Sequence, residues 1–190
     1  MSQPAAHRSS SDRDLRAPAR AGPAPAHTPS PAPDDVHVRV ATIDDLPAVV
    51  ELRLALLREH SHNPLYRRLR PDAAARARRL FGAQLRAPDE VIFLATRGDA
   101  VVGILRCVQT AGLPLLFPVL HGYISSVYVI PAARRRGVLR ALLAAALAWC
   151  EARGLMEVRL HNAADNEAAN AAWEALGFRI AEHLRVRFLR

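Results

Sequence analysis

The sequence predicts a mixed α/β domain, one sheet flanked by helices, and three observations carry that expectation. Short alternating or β-branched runs occur at residues 36–40, 91–95, 101–108, 123–130 and 157–160. Between some of them lie longer stretches whose apolar residues recur three and four apart, the period of a half-buried helix. Residues 123–176 read strand–helix–strand–helix, which implies neighbouring parallel strands joined by a crossover, whereas the runs before them read as antiparallel hairpins.

Each element follows from local chemistry. His37, Val38, Arg39 and Val40 alternate polar and apolar, as in a strand with one covered face. Thr42 is a helix cap ahead of Asp44, Asp45 and Pro47, and Leu46, Val49, Val50, Leu52, Leu54 and Leu57 supply that helix's apolar faces. Pro71 and Asp72 open a second helix carrying Leu80, Phe81 and Leu85 and ending near Pro88. Arg97-Gly98-Asp99-Ala100 separates two strands as a hairpin turn. Pro131 stops the strand at 123–130, and a long helix over about 135–153 places Leu139, Leu142, Leu143, Ala146, Leu147 and Cys150 on one face. A helix over 166–176 is stopped by Gly177, and residues 178–189 read as a final strand or strand pair.

Charge and composition bound the function. All 26 basic residues are Arg, there are 36 Ala, and the net charge is +8. Residues 1–36 hold seven of the 14 prolines and few large aliphatics, too little apolar surface to offset chain entropy, so a disordered tail is expected ahead of a domain at 37–190. Arg8, Arg13, Arg16 and Arg20 cancel Asp12, Asp14, Asp34 and Asp35, which leaves the whole +8 on the domain. The tail lacks the apolar stretch of a secretory signal, and its four Asp and seven Pro argue against a transit peptide. The longest apolar run, at 141–150, is too short to cross a bilayer, so no membrane partner is expected. Two cysteines form no disulfide framework and favour a reducing, cytoplasmic setting. Cys107 and Cys150 fall on a strand and a helix face, as packing residues do. His60 and His62 have no supporting ligands, so no metal is expected. Arg67, Arg68, Arg76, Arg78 and Arg79 read as solvated helix faces without stacking aromatics, and no nucleic acid is expected. The apolar loop 110–121, with Leu113, Leu115, Leu116, Phe117 and Leu120, is a candidate acceptor-pocket wall or homodimer contact.

Arg134-Arg135-Arg136-Gly137 is the most informative segment. Arginines at a helix start oppose its macrodipole, at a cost of a few tenths to about 1 kcal/mol each. A bound polyanion resolves the conflict, because helix-start amides hold phosphate oxygens, glycine admits them closely and the arginines neutralise them. Residues 127–138, Val-Tyr-Val-Ile-Pro-Ala-Ala-Arg-Arg-Arg-Gly-Val, resemble the motif A core of the GNAT N-acetyltransferases, V-x-V-x-P-x-x-Q/R-x-x-G-x-G/A. Residues 166–178 resemble that family's N-x-x-A-x-x-x-Y-x-x-x-G-F block, in the expected order.

The resemblance implies a mostly antiparallel sheet with a splayed parallel pair, and transfer of acetyl from acetyl-CoA to a primary amine by direct attack in a ternary complex. It assigns the pantetheine arm to Val127, Tyr128 and Val129, with the Val129 N–H donating to the thioester carbonyl. It assigns the pyrophosphate to Arg134, Arg135, Arg136, Gly137, Val138, Leu139 and Arg140, and it places Asn166, Ala169 and Trp173 beside the cofactor. Leu139 stands where the family has a second small residue, and Trp173 where it usually has the Tyr that protonates the departing thiolate; an indole N–H is no usable acid. The base positions correspond to Tyr123 and Ser125, expected to share a face with Val127 by period-two alternation and to feed a water-mediated proton path. His121 and His161 are the titratable alternatives, and Glu51 and Glu59 read as solvated helix residues. The acceptor is a small-molecule or peptide amine, and the alternative is a GNAT-like module that binds CoA or a protein without turnover.

Overall fold

The computed structural model describes residues 35–189, so the expectation of a disordered 1–36 tail lies almost wholly outside the described residues. Five strands form one sheet in the order β1-β2-β3-β4-β5: β1 (His37–Val40), β2 (Glu90–Arg97), β3 (Ala100–Ala111), β4 (Leu120–Val129) and β5 (Val158–Leu160). The first four pair antiparallel and β4 pairs parallel with β5. Four helices flank them: α1 (Leu46–Glu59), α2 (Ala73–Gln84), α3 (Val138–Glu151) and α4 (Glu167–Ala175).

The central strands β2 and β3 hold long apolar stretches because both faces of the sheet are covered there. Val91, Phe93 and Ala95 of β2 turn toward α3, meeting Leu142, Leu143 and Ala146, with Trp173 of α4 in the same cluster. Ile92 and Leu94, on the opposite face, meet Val49 and Val50 of α1 and Phe81 of α2. Each fully buried aliphatic here contributes about 1.5–3 kcal/mol of transfer free energy. At the entry to α1 the Asp45 carboxylate accepts from the Thr42 N–H (2.8 Å) and forms a two-pronged pair with Arg39 (2.7 and 2.7 Å). Arg39 first, then the Thr42 N–H and hydroxyl, hold the Asp45 carboxyl far below its usual range.

Three sequence expectations change. Residues 178–189 form no strand: β5 is only three residues long and offers little edge, and Phe188 instead lies under the Arg67 guanidinium (4.3 Å) of the α1–α2 connection. The parallel pair therefore closes one side of the sheet among the described residues. The third helix begins at Val138 rather than near 135, because Arg135 (φ 59°) and Gly137 (φ 80°) take left-handed backbone that a helix cannot continue. The loop at 110–121 is shortened to 112–119, because β3 and β4 each take two residues from its ends, and its tip is exposed, with Leu115 94% and Phe117 92% accessible. No helix among the described residues is long and apolar enough to cross a membrane.

Sheet and α3 meet most closely at Gly122. A Cβ there would stand 2.5 Å from Cys150 Sγ, itself 3.6 Å from Cys107 Sγ in the core. Gly122→Ala is expected to cost about 1–3 kcal/mol by overpacking, with Cys150→Ala in the same chain recovering part of the loss. Urea unfolding of the two variants measures both; a Gly122→Ala protein as stable as the parent contradicts the packing.

Candidate functional site

A single residue shapes the site. Between Ile104↔Tyr128 and Arg106↔Ser125 the register of β3 on β4 slips, so β4 spends one more residue than its partner. The extra residue falls at Ser126, whose φ of 53° is left-handed. The bulge ends the simple alternation expected for β4. Tyr123 and Ser125 face the α1 side, where Ser125 Oγ accepts from Arg106 Nη1 (3.0 Å), whereas Val127 and Val129 pack against the α3-side core. Tyr123 and Ser125 thus do not share a face with Val127, because one inserted residue inverts everything after it.

Pairing of β4 with β5 stops at Ile124↔Leu160, and residues 125–129 run on without a strand on that side. Ile130 N–H donates to Val102 O across β3 (3.0 Å), which turns the Val129 N–H to the open side. The Val129 carbonyl is already taken by Arg134 Nε (2.9 Å). Where the strands part, a cleft of about 1040 Å³ opens. Tyr123, Ser125, Val127, Tyr128 and Val129 line it from β4; Arg134, Arg135, Gly137, Val138, Leu139 and Arg140 line it from the turn and α3; Asn166, Ala169 and Trp173 line it from α4. Of the residues that the resemblance assigns to the cofactor and to the base positions, Arg136 alone is outside this wall.

At one end, the turn from β4 into α3 is held by its own first arginine. Arg134 Nη2 pairs with both carboxylate oxygens of Glu59 (2.8 and 2.7 Å), and Tyr128 Oη donates to the same carboxylate (3.1 Å). Arg134 lies 5.6 Å from the Tyr128 ring centre. Its side chain therefore clamps the turn to α1, and Glu59, read from the sequence as a solvated helix residue, is the other half of that clamp. The two are 75 residues apart, so no local pattern joins them. Arg135 and Arg140 are exposed beside the first turn of α3, whose leading amides have no helical partner. Leu139 is half-buried: it packs on the core under α3 and also borders the cleft.

At the other end, Tyr123 Oη lies 2.8 Å from His161 Nδ1, across the last paired rung of β4 and β5. Burial pushes the Tyr123 hydroxyl above its ordinary pKa, so at neutral pH it is a phenol that can give a proton to, or take one from, the His161 ring. His121 is elsewhere: it is 5% exposed, outside the cleft, with a buried Nδ1 that meets no partner among the described residues, and burial lowers its pKa. Asn166 caps α4 by accepting from the Ala169 N–H (3.0 Å). Trp173 is 7% exposed and meets Phe178 edge-on at 5.3 Å, a core contact that leaves its margin on the cleft. His60 and His62 border the cleft, and His62 Nε2 is 3.8 Å from Asp165.

Comparison with known proteins decides the family. The Acetyltransferase (GNAT) family profile matches residues 53–178. The chain belongs to that family. N-alpha-acetyltransferase 30 of Schizosaccharomyces pombe is 33% identical over 89 residues, 47% of this chain and 57% of the relative, so the match spans little more than half of that protein. Among solved structures, a "predicted acetyltransferase with acetyl-CoA" from Clostridium acetobutylicum has TM-score 0.68 at 18% identity, covering 80% of this chain and 96% of the other. AAC(6')-Iy in complex with the bisubstrate analogue CoA-S-monomethyl-acetylneamine has TM-score 0.66 at 20% identity, covering 82% and 99%. Both likenesses establish the GNAT fold.

The clamp carries a pH signature. Arg134 holds the Glu59 carboxyl below its ordinary range, so its stabilisation is present above the usual Glu pKa of about 4.3 and is lost as pH falls through the lowered value. Both side chains are a third or more exposed, which limits the pair to about 1 kcal/mol or less. Glu59→Gln is expected to lose that increment at pH 7 and to converge with the parent under acid, in urea titrations across pH; a gap independent of pH contradicts the assignment.

Proposed function

We propose that this chain transfers acetyl from acetyl-CoA to a primary amine by direct attack in a ternary complex, with Tyr123 and His161 carrying the amine proton away. The observation behind the reading is the 2.8 Å Tyr123–His161 contact at the point where paired strand gives way to open strand. What supports the cosubstrate is the fit of the cleft: an unpaired Val129 N–H, a left-handed glycine at the helix start, and two exposed arginines beside amides that lack helical partners. An acetyl-CoA complex and a CoA bisubstrate-analogue complex among structures sharing the fold point the same way.

Acetyl-CoA supplies an activated acetyl group through its thioester. The work of this chain is to bind, orient and move protons. The Val129 N–H, fixed by the pairing of Ile130 to β3, is placed to donate to the carbonyl oxygen, where charge grows as the amine attacks. An acceptor amine arrives as an ammonium ion and must shed one proton first. Tyr123 Oη takes it while passing its own to His161 Nδ1, and the exposed His161 ring discharges a proton to solvent. The second proton leaves the nitrogen as the C–S bond breaks and ends on the departing sulfur. With Trp173 at the usual Tyr position, that delivery runs through water or directly from the nitrogen. Ser125, held by Arg106, orders the approach rather than titrating.

The relatives' names support an amine acceptor: one is an N-alpha-acetyltransferase, another is bound to an acetylneamine bisubstrate analogue. Tyr123→Phe and His161→Gln are each expected to lower kcat by about 100-fold, with the double variant no worse, because the two act as one path. Thiol release with an amine panel measures this. Unchanged kcat removes the relay, and acetyl-CoA binding without thiol release from any amine favours the non-catalytic binding module instead.

A further inference from the structure

The acceptor end of the cleft holds one cation that the protein leaves unanswered. Arg53, Leu56 and His60, three and four residues apart, share the α1 face that lines the cleft. Arg53 lies six residues before Glu59, about 9 Å along the helix, so it sits away from the Arg134 clamp and beside Tyr123. Arg134, on the same cleft, is neutralised by Glu59, and Arg106, behind Ser125, by Glu90 at 2.6 Å. Arg53 makes no ion pair or hydrogen bond among the described residues; its near neighbours are Tyr66, Tyr123 and Arg106. Burial draws its pKa down, the mark of a cation removed from water without an anion beside it.

Next to the cleft lies a second cavity of about 510 Å³ between α1 and α2, and Arg53 and Tyr66 border both spaces. Its walls pair apolar Leu54, Leu57 and Phe81 with Arg68, Arg76 and Arg79, and no acidic side chain lines it. Asp72 pairs with Arg76 (2.7 Å), whereas Arg53, Arg68 and Arg79 have no carboxylate partner among the described residues, so the balance at this end is positive. A planar guanidinium with open donors binds a carboxylate through two parallel hydrogen bonds.

We infer that Arg53 selects the acceptor: the amine this chain acetylates carries a carboxylate close to the amino group, held by Arg53 while the amine meets Tyr123. This rests on the acetyl-transfer reading of the same cleft. Polycationic amines, including aminoglycosides, are poorly matched to such a wall, whereas α-amino acids and peptides with an acidic first residue present the required pair of groups. The chemistry is shared by those two sources. In both, the anion keeps the amine from binding elsewhere in the cleft, so specificity comes from leaving Arg53 unpaired when the anion is missing.

The test compares leucine and phenylalanine with leucinamide and phenylalaninamide, and Asp-initiated with Asn-initiated peptides, in thiol release by the full chain. The carboxylate member of a pair is expected to lead by more than tenfold in kcat/KM. Arg53→Gln collapses that ratio toward one, and Arg53→Lys restores part of it. Calorimetry with CoA-loaded protein supplies a readout apart from turnover: N-acetyl-leucine binds more tightly than N-acetyl-leucinamide in the parent and not in Arg53→Gln, with CoA affinity confirming that the variant is folded. The pair that responds, free amino acids or acidic peptides, names the source. Equal use of acids and amides, a ratio untouched by Arg53→Gln, or turnover of aminoglycosides alone overturns the inference while acetyl transfer stands. Failure to bind acetyl-CoA at all removes the reaction itself, and the inference with it.

Discussion

The extra residue in β4 is the constraint on which the cleft depends. A regular β4 would continue its ladder on both sides and present one uninterrupted face to each layer of helices. Ser126, in left-handed backbone, adds a residue that β3 does not match. Downstream of it Val127 and Val129 turn to the α3 side and Tyr128 to the α1 side, so the strand presents Tyr123 and Ser125 to one layer of helices and Val127 and Val129 to the other. The pairing with β5 stops two residues before the bulge, and the two strands leave between them the space that helices α1, α3 and α4 wall in.

Charge is then distributed around that opening with a logic that net charge conceals. The domain is basic, yet Arg134, Arg106 and Arg39 are each tied to a carboxylate at hydrogen-bonding distance. Arg134 in particular holds the turn against α1 instead of reaching outward, which leaves the exposed Arg135 and Arg140 nearest the first amides of α3. Placing all three RRRG arginines in the turn ahead of the helix, with Arg140 alone inside its first turn, also relieves much of the dipole conflict that the sequence suggests. At the far end the same accounting isolates Arg53.

Element order, the flanking helices and the turn at Gly137 were legible in the sequence because each rests on local chemistry: period-two and period-3.6 patterning, Pro131, Gly137 and Gly177. What the sequence could not display are facts of register and distance. A bulge is visible only against its partner strand, so Tyr123, Ser125 and Val127 looked coplanar. Glu59 and Arg134 are separated by 75 residues, and Tyr123 and His161 by 38. Residues 178–189 carry a strand-like alternation, yet a strand also requires an edge, and a three-residue β5 supplies little of one. Trp173 and Leu139, the two departures from the family motif, were open at the sequence level; packing settles both as core side chains that border the cleft.

In the proposed reaction, residues 127–129 and the start of α3 act as a single acetyl-CoA cradle. Amide hydrogen exchange of the full chain with and without saturating acetyl-CoA reads it residue by residue. Protection should rise at Val127, Val129 and residues 138–140, and stay unchanged at the exposed hairpin tip, residues 112–119. Acetyl-CoA binding that leaves the β4 amides and the α3 start as they were would contradict it.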